Sequence, residues 1–78
     1  MKIEQALLAV PGEPKESVDA MLRKLVNYRF KAEDPAAGAF CGLDGATLTG
    51  MGLDAREVGA IKQAQKIAEG EEPTGKGV

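Results

Sequence analysis

The chain has 78 residues, with ten lysines and arginines against twelve aspartates and glutamates and a formal net charge of −2. This length predicts one small domain, and the balanced charge argues against a membrane or nucleic acid recruited by bulk electrostatics. The absence of histidine removes the usual general base near neutral pH and the commonest metal ligand. We therefore expect a protein that is not an enzyme and that holds no metal or other cofactor.

The single cysteine, Cys41, permits no internal disulfide and argues for a reducing compartment. No apolar run approaches the roughly 18 residues that a membrane-spanning helix needs, and the N-terminus lacks the features of a signal peptide. We therefore expect a cytoplasmic protein with no membrane partner. Residues 1–70 are predicted to form the domain, and the polar, glycine-rich and proline-containing residues 71–78 are predicted to be a disordered tail.

Two amphipathic helices are predicted in the first half of the chain. Apolar residues three and four positions apart predict a short helix over residues 2–10, which Pro11 and Gly12 end. A second stripe predicts a long helix that begins near Pro14 and is closed by Asp34-Pro35. The stripe consists of Val18, Met21, Leu22, Leu25 and Val26.

Residues 23–31, at the end of the predicted long helix, carry four basic residues and no acidic one. Such residues complement the negative end of the helix dipole and can simply remain solvated. The alternative is that they form a surface for an acidic protein, another anion or RNA. The candidate partner-binding residues, taken from this segment and from the hairpin described next, are Arg23, Lys24, Tyr28, Arg29, Lys31, Phe40, Thr47 and Thr49.

Asp44-Gly45 between two short apolar runs predicts a β-hairpin over residues 40–49. A two-residue type I′ turn at this point pairs Leu43 with Ala46 and Cys41 with Leu48. These four side chains then share one face, which is suited to packing on helices.

A final helix is predicted from Asp54, an N-cap candidate that forms a capping-box pair with Glu57. Leu53 before the cap and Val58 after it make a hydrophobic staple. One face of this helix is rich in alanine, which predicts either tight packing or self-association.

A helix-turn-helix interpretation competes for the same region. Such motifs have a glycine in the turn and apolar residues at fixed spacings, and the same spacings separate Gly52, Leu53, Val58 and Ile61. The second helix would then present four polar side chains to DNA: Arg56, Lys62, Gln63 and Lys66. Two features oppose it. The first helix would span residues 44–51 with two glycines, each costing about 1 kcal/mol relative to alanine. The acidic side chains of Asp54 and Glu57 would also approach the phosphates.

The Gly50-x-Gly52-x-x-Ala55 segment has the spacing of a dinucleotide-binding loop, but a hairpin is not the parallel βαβ unit that such a loop requires. Binding or sequestering a small anionic ligand, through this joint or the basic segment, is a further hypothesis.

The predicted fold class is α+β and mainly helical: short helix, long amphipathic helix, β-hairpin, C-terminal helix and disordered tail. Because so small a domain has little core, we expect a homodimer in which hairpins or alanine-rich helices meet across a two-fold axis. The leading hypothesis is a non-catalytic regulatory or inhibitory protein that acts by protein–protein binding, and its size suggests a phage or mobile element as the source. The alternatives are a helix-turn-helix DNA-binding regulator and a small anionic-ligand binder.

Overall fold

The computed structural model describes residues 1–71, which contain four helices and no strand or sheet. The predicted mainly helical character is confirmed, and the predicted β-hairpin is wrong. The predicted tail, apart from Glu71, lies outside the described residues. The helices are α1 (Ile3–Leu8), α2 (Lys15–Tyr28), α3 (Gly45–Gly50) and α4 (Ala55–Glu71). None of these helices is long and apolar enough to cross a bilayer.

The segment predicted as a hairpin contains α3 instead. The carboxylate of Asp44 accepts a hydrogen bond of 2.8 Å from the backbone N–H of Thr47, so that Asp44 is the N-cap of a helix. Neither Asp44 nor Gly45 has the positive φ that a type I′ turn requires at both positions. The helix places Leu48 in the core with no exposed surface, whereas the hairpin would have paired it with Cys41.

Helix α2 ends at Tyr28, several residues before the predicted end at Asp34-Pro35. The backbone N–H groups of Arg29 and Phe30 both donate to the Leu25 carbonyl at 2.9 Å, which closes the last turn. Phe30 then turns back into the core, where its ring meets that of Phe40 edge-on at a centroid distance of 6.3 Å. Burial of two aromatic rings thus ends the helix before the proline is reached.

The N-terminus is tied to the irregular segment that follows α2. An isolated antiparallel β-bridge joins Lys2 to Pro35. Its flanking hydrogen bonds run from Ile3 N–H to the Asp34 carbonyl and from Ala36 N–H to the Met1 carbonyl, both at 2.9 Å. This pairing holds α1 beside residues 32–36.

Helix α4 packs against α1 and α3, and its alanine-rich face is inside the molecule. Ala60, Ala64 and Ala68 are each at most 4% exposed and belong to the core. The predicted tight packing is therefore satisfied within one chain. Because the hairpin does not form and the alanine face is covered, neither surface proposed for a homodimer is available in this structure.

Gln65 is a buried polar residue of α4 that organises the segment before α3. Its side-chain amide donates to the Phe40 carbonyl at 2.8 Å and to the Leu43 carbonyl at 3.0 Å. Cys41, between these two residues, donates through its sulfur to the Ala36 carbonyl at 3.0 Å and packs against the core. Gln65 thus anchors two carbonyls of this segment to α4, whereas the N–H groups of Gly42 and Leu43 donate to carbonyls within the segment itself.

We expect Gln65→Leu to destabilise the fold by about 1–3 kcal/mol, because the Leu43 carbonyl loses its side-chain donor, the Phe40 carbonyl keeps only the Leu43 N–H at 3.3 Å, and an unsatisfied buried group costs about 1–3 kcal/mol. The measurement is denaturant-induced unfolding followed by circular dichroism. Gln63→Leu, at an exposed position of the same helix, is the matched control and should stay within about 0.5 kcal/mol. Equal effects of the two changes would contradict the role given to Gln65.

Candidate functional site

The joint between α3 and α4 is a tight turn that depends on one glycine. Met51 ends α3 in right-handed geometry, and Gly52 follows with φ of 95°, a conformation that residues with a side chain rarely adopt. A Cβ atom at Gly52 would meet nothing within 4 Å, so the requirement lies in the backbone conformation rather than in space. Leu53 is then buried, and α4 begins two residues later.

The predicted capping box at the start of α4 is confirmed. The Glu57 N–H donates to the Asp54 carboxylate at 2.8 Å, and the Asp54 N–H donates to Oε1 of Glu57 at 3.0 Å. That same Oε1 also accepts from Nζ of Lys24 on α2 at 2.7 Å, and the Glu57 side chain is only 8% exposed. The charge of Glu57 is therefore turned inward and neutralised.

The outer surface of α4 consists of exposed side chains that are all neutral or positive from residue 55 to residue 66. Two small residues and one arginine lie toward its N-terminal end, and two lysines and one glutamine lie further along. We call this set the basic face of α4; it comprises Ala55, Arg56, Gly59, Lys62, Gln63 and Lys66.

Arg56 is fixed by residues from outside its own helix. Its Nη1 donates to Oε2 of Glu13 at 2.7 Å, and its Nη2 donates to the Ser17 hydroxyl. The Arg56 side chain is 59% exposed, whereas that of Glu13 is 9% exposed. Glu13 and Ser17 were not predicted to belong to this site, because no local sequence pattern connects them to a residue about forty positions away.

Asp44 borders the basic face of α4 from the start of α3. The Asp44 carboxylate accepts hydrogen bonds from Thr47, and these lower the pKa of Asp44 below its ordinary value of 3.8. The bond from the Thr47 backbone N–H contributes most and the bond from the Thr47 hydroxyl comes next, and the positive charge of Lys62 lowers the pKa further. Asp44 is thus a negative charge held beside one of the lysines of the face.

The residues predicted to bind a partner do not form one surface in this structure. Phe40 is fully buried, and Lys24 is engaged with Glu57. Thr47 is half-buried, whereas Thr49 is exposed on α3. These positions are separated because the hairpin that would have aligned the threonines with Phe40 does not exist.

The remaining predicted residues lie on or after the outer part of α2. Arg23 and Lys31 are exposed, and Tyr28 is 50% exposed. The Arg29 guanidinium stands 5.8 Å from the centre of the Phe30 ring. Arg23 also lines an open groove of about 390 Å³ along α2, together with Asp19, Leu22, Val26 and Asn27.

The structure also bears on the dinucleotide-binding spacing of residues 50–55. Gly50 and Gly52 lie between two helices, so the strand that a dinucleotide-binding loop needs before its first glycine is missing. Among the side chains of residues 1–70, no group of three or more histidine, cysteine, aspartate or glutamate residues is arranged to hold a metal ion.

Comparisons with protein-family models, with curated proteins and with solved structures find no match to this chain.

The lowered pKa of Asp44 predicts a pH-dependent stability. A carboxyl with a lowered folded-state pKa contributes stability that is complete above its unfolded pKa and lost as pH falls through its folded pKa. Asp44→Asn keeps a good N-cap but cannot titrate. We therefore expect the melting temperature of the wild type to fall relative to that of the variant between about pH 5 and pH 3, and to run parallel to it above about pH 5. A constant difference across both ranges would contradict the assignment.

Proposed function

We propose that the protein is a DNA-binding regulator in which α3 and α4 act as a helix-turn-helix unit and α4 enters the major groove. The observation that carries the proposal is the basic face of α4, which follows directly from the Gly52 turn and exposes no acidic side chain from residue 55 to residue 66. An α-helix with its side chains is about 10–12 Å across, which matches the roughly 12 Å width of the major groove.

Both sequence-based objections to this function are weakened by local geometry. The two glycines lie at the first and last positions of α3, Gly45 and Gly50, rather than within its interior, where glycine costs most. Glu57 points inward to Lys24 and does not face the outer surface. Asp54 remains exposed, but its carboxylate is engaged with the Glu57 N–H in the cap.

The small residues of the face also support close approach by a large partner. Gly59 is an exposed residue inside α4, and a Cβ atom there would meet nothing within 4 Å. Packing within residues 1–71 therefore gives no reason for a glycine that costs about 1 kcal/mol relative to alanine. Together with Ala55 one turn earlier, it allows the helix backbone to approach the floor of a groove.

The proposal predicts salt-dependent binding of a fluorescent mixed-sequence DNA duplex, measured by anisotropy between about 50 and 200 mM salt. The double variant Lys62→Gln, Lys66→Gln should bind more weakly and lose about one unit of salt slope per lysine. Asp44→Asn should bind more tightly, because it removes the negative charge beside Lys62 while keeping the cap of α3.

The matched control removes two positive charges elsewhere, with Lys2→Gln and Lys15→Gln, both at exposed positions. It should keep most of the affinity and the salt slope. Equal losses in the two double variants would assign the binding to bulk charge and sink the proposal. An RNA duplex of the same sequence is tested beside the DNA duplex. If the wild type binds only the RNA, or binds neither the RNA nor the DNA at about 50 mM salt, the proposal of DNA binding is wrong.

A second candidate function, protein–protein binding, is favoured by the groove on α2. Its lining combines Val26, which is 52% exposed, with the opposite charges of Asp19 and Arg23. Exposed apolar surface beside polar groups is a combination that protein interfaces use.

We expect Val26→Lys to abolish capture of any partner protein bound through this groove, with unchanged circular dichroism. Ala39→Lys, at an exposed position outside the groove, is the control and should leave capture intact. Affinity purification from the native host measures both. Capture that survives Val26→Lys would remove the groove as the contact.

A further inference from the structure

Glu13 is an acidic residue in an unusual environment for the connection between α1 and α2. Its side chain is 9% exposed, and one oxygen, Oε2, accepts from Arg56 at 2.7 Å. The other oxygen, Oε1, is buried and has no hydrogen-bond partner within residues 1–71. A buried carboxylate is costly unless it is paired, so the position of Glu13 makes the Arg56 guanidinium its main compensation.

These contacts hold the Arg56 side chain in place but leave some of its hydrogen-bond donors without a partner. A guanidinium has five N–H donors, and two of them are engaged, one with Glu13 and one with Ser17. The other three have no partner in the described part of the chain. The side chain is 59% exposed, so a positioned, planar donor group lies in the first turn of α4.

We propose that Arg56 contacts a guanine edge in the major groove and that Glu13 and Ser17 are positioning residues that hold it for this contact. The inference rests on the proposed DNA-binding function. In helix-turn-helix docking, the N-terminal residues of the second helix contact base edges, and arginine recognises guanine through paired donors. Holding the side chain in advance reduces the rotamer entropy lost on binding.

This assignment separates Arg56 from the two lysines of the basic face. Lys62 and Lys66 make no ion pair with an acidic side chain of residues 1–70, and a lysine ammonium is a point charge on a flexible stem, which suits contacts to phosphates. Arg56 is therefore expected to determine base preference, whereas the lysines determine affinity for DNA of any sequence.

The experiment is selection from a pool of DNA duplexes with a randomised centre, carried out with the wild type and with Arg56→Lys, Glu13→Gln and Ser17→Ala. The wild type should enrich guanine at one position. Arg56→Lys keeps the charge but not the planar fork, and should lose roughly 5- to 150-fold of discrimination at that position. Glu13→Gln and Ser17→Ala should lose part of the same preference, while their affinity for an unselected duplex is retained or, for Glu13→Gln, increased.

Arg23→Lys is the matched control, since Arg23 is an exposed arginine on α2 outside the basic face. It should leave the preference intact. Thermal unfolding of each variant identifies any that do not fold, and Ser17→Ala, which removes only a hydroxyl, tests the positioning role if Glu13→Gln unfolds.

The possible results separate the two proposals. A wild type that binds no duplex overturns DNA binding itself. Binding with a base preference that Arg56→Lys does not change overturns the contact assigned to Arg56. A preference that Arg56→Lys removes but that both Glu13→Gln and Ser17→Ala preserve overturns the positioning role.

Discussion

One oxygen of Glu57 both caps the start of α4 and ties that start to α2. It accepts from the Asp54 N–H, which completes the cap, and from Lys24, which ties the start of α4 to the neighbouring helix. The Glu57 side chain is 8% exposed, so the attraction acts in an environment with less screening than a surface pair would have. Because the cap and the ion pair share one atom, the rotation of α4 about its axis is restricted, and that rotation decides which residues face outward.

The rest of the fold is arranged around the position of α4. Helix α4 packs against α1, and the side-chain amide of Gln65 donates hydrogen bonds to the carbonyls of Phe40 and Leu43. This explains how a long irregular segment between α2 and α3 can have a fixed course without a sheet. The backbone groups of a loop must be satisfied somewhere, and here a side chain of a helix satisfies two of them. A substitution at Gln65 is therefore expected to affect α3 as well as the loop.

The sequence predicted the elements whose signals are local. The cap of α4 was identified correctly because Asp54 and Glu57 are three residues apart. Four of the five residues of the predicted stripe on α2 are buried, as periodicity indicates, whereas Val26 is 52% exposed and was wrongly included. The hairpin was wrong because Asp44-Gly45 has two local uses. Aspartate before glycine suits a type I′ turn, but aspartate is also a preferred N-cap.

Contacts distant in sequence decided between these two uses. A helix buries Leu48 completely and leaves the Leu43 carbonyl for Gln65, which is 22 positions away. The same limit applies to the candidate site. Arg56 and the lysines could be proposed from their spacing on one helix, whereas Glu13 and Ser17 are 43 and 39 positions from Arg56 and give no local signal.

The balance of charge over the whole chain is a poor measure of the surface that a partner would meet. The formal net charge of −2 includes acids such as Glu13 and Glu57, whose side chains are at most 9% exposed and are paired with basic groups. Salt further confines each exposed charge to a range of about 10 Å. A phosphate at the outer surface of α4 would therefore respond mainly to Lys62 and Lys66, because Glu13 offsets the charge of Arg56, and exposed Asp44 and Asp54 lie at the edge. The inward position of Glu57 leaves the helix face from residue 55 to residue 66 without an exposed acid, although the chain as a whole has a balanced composition.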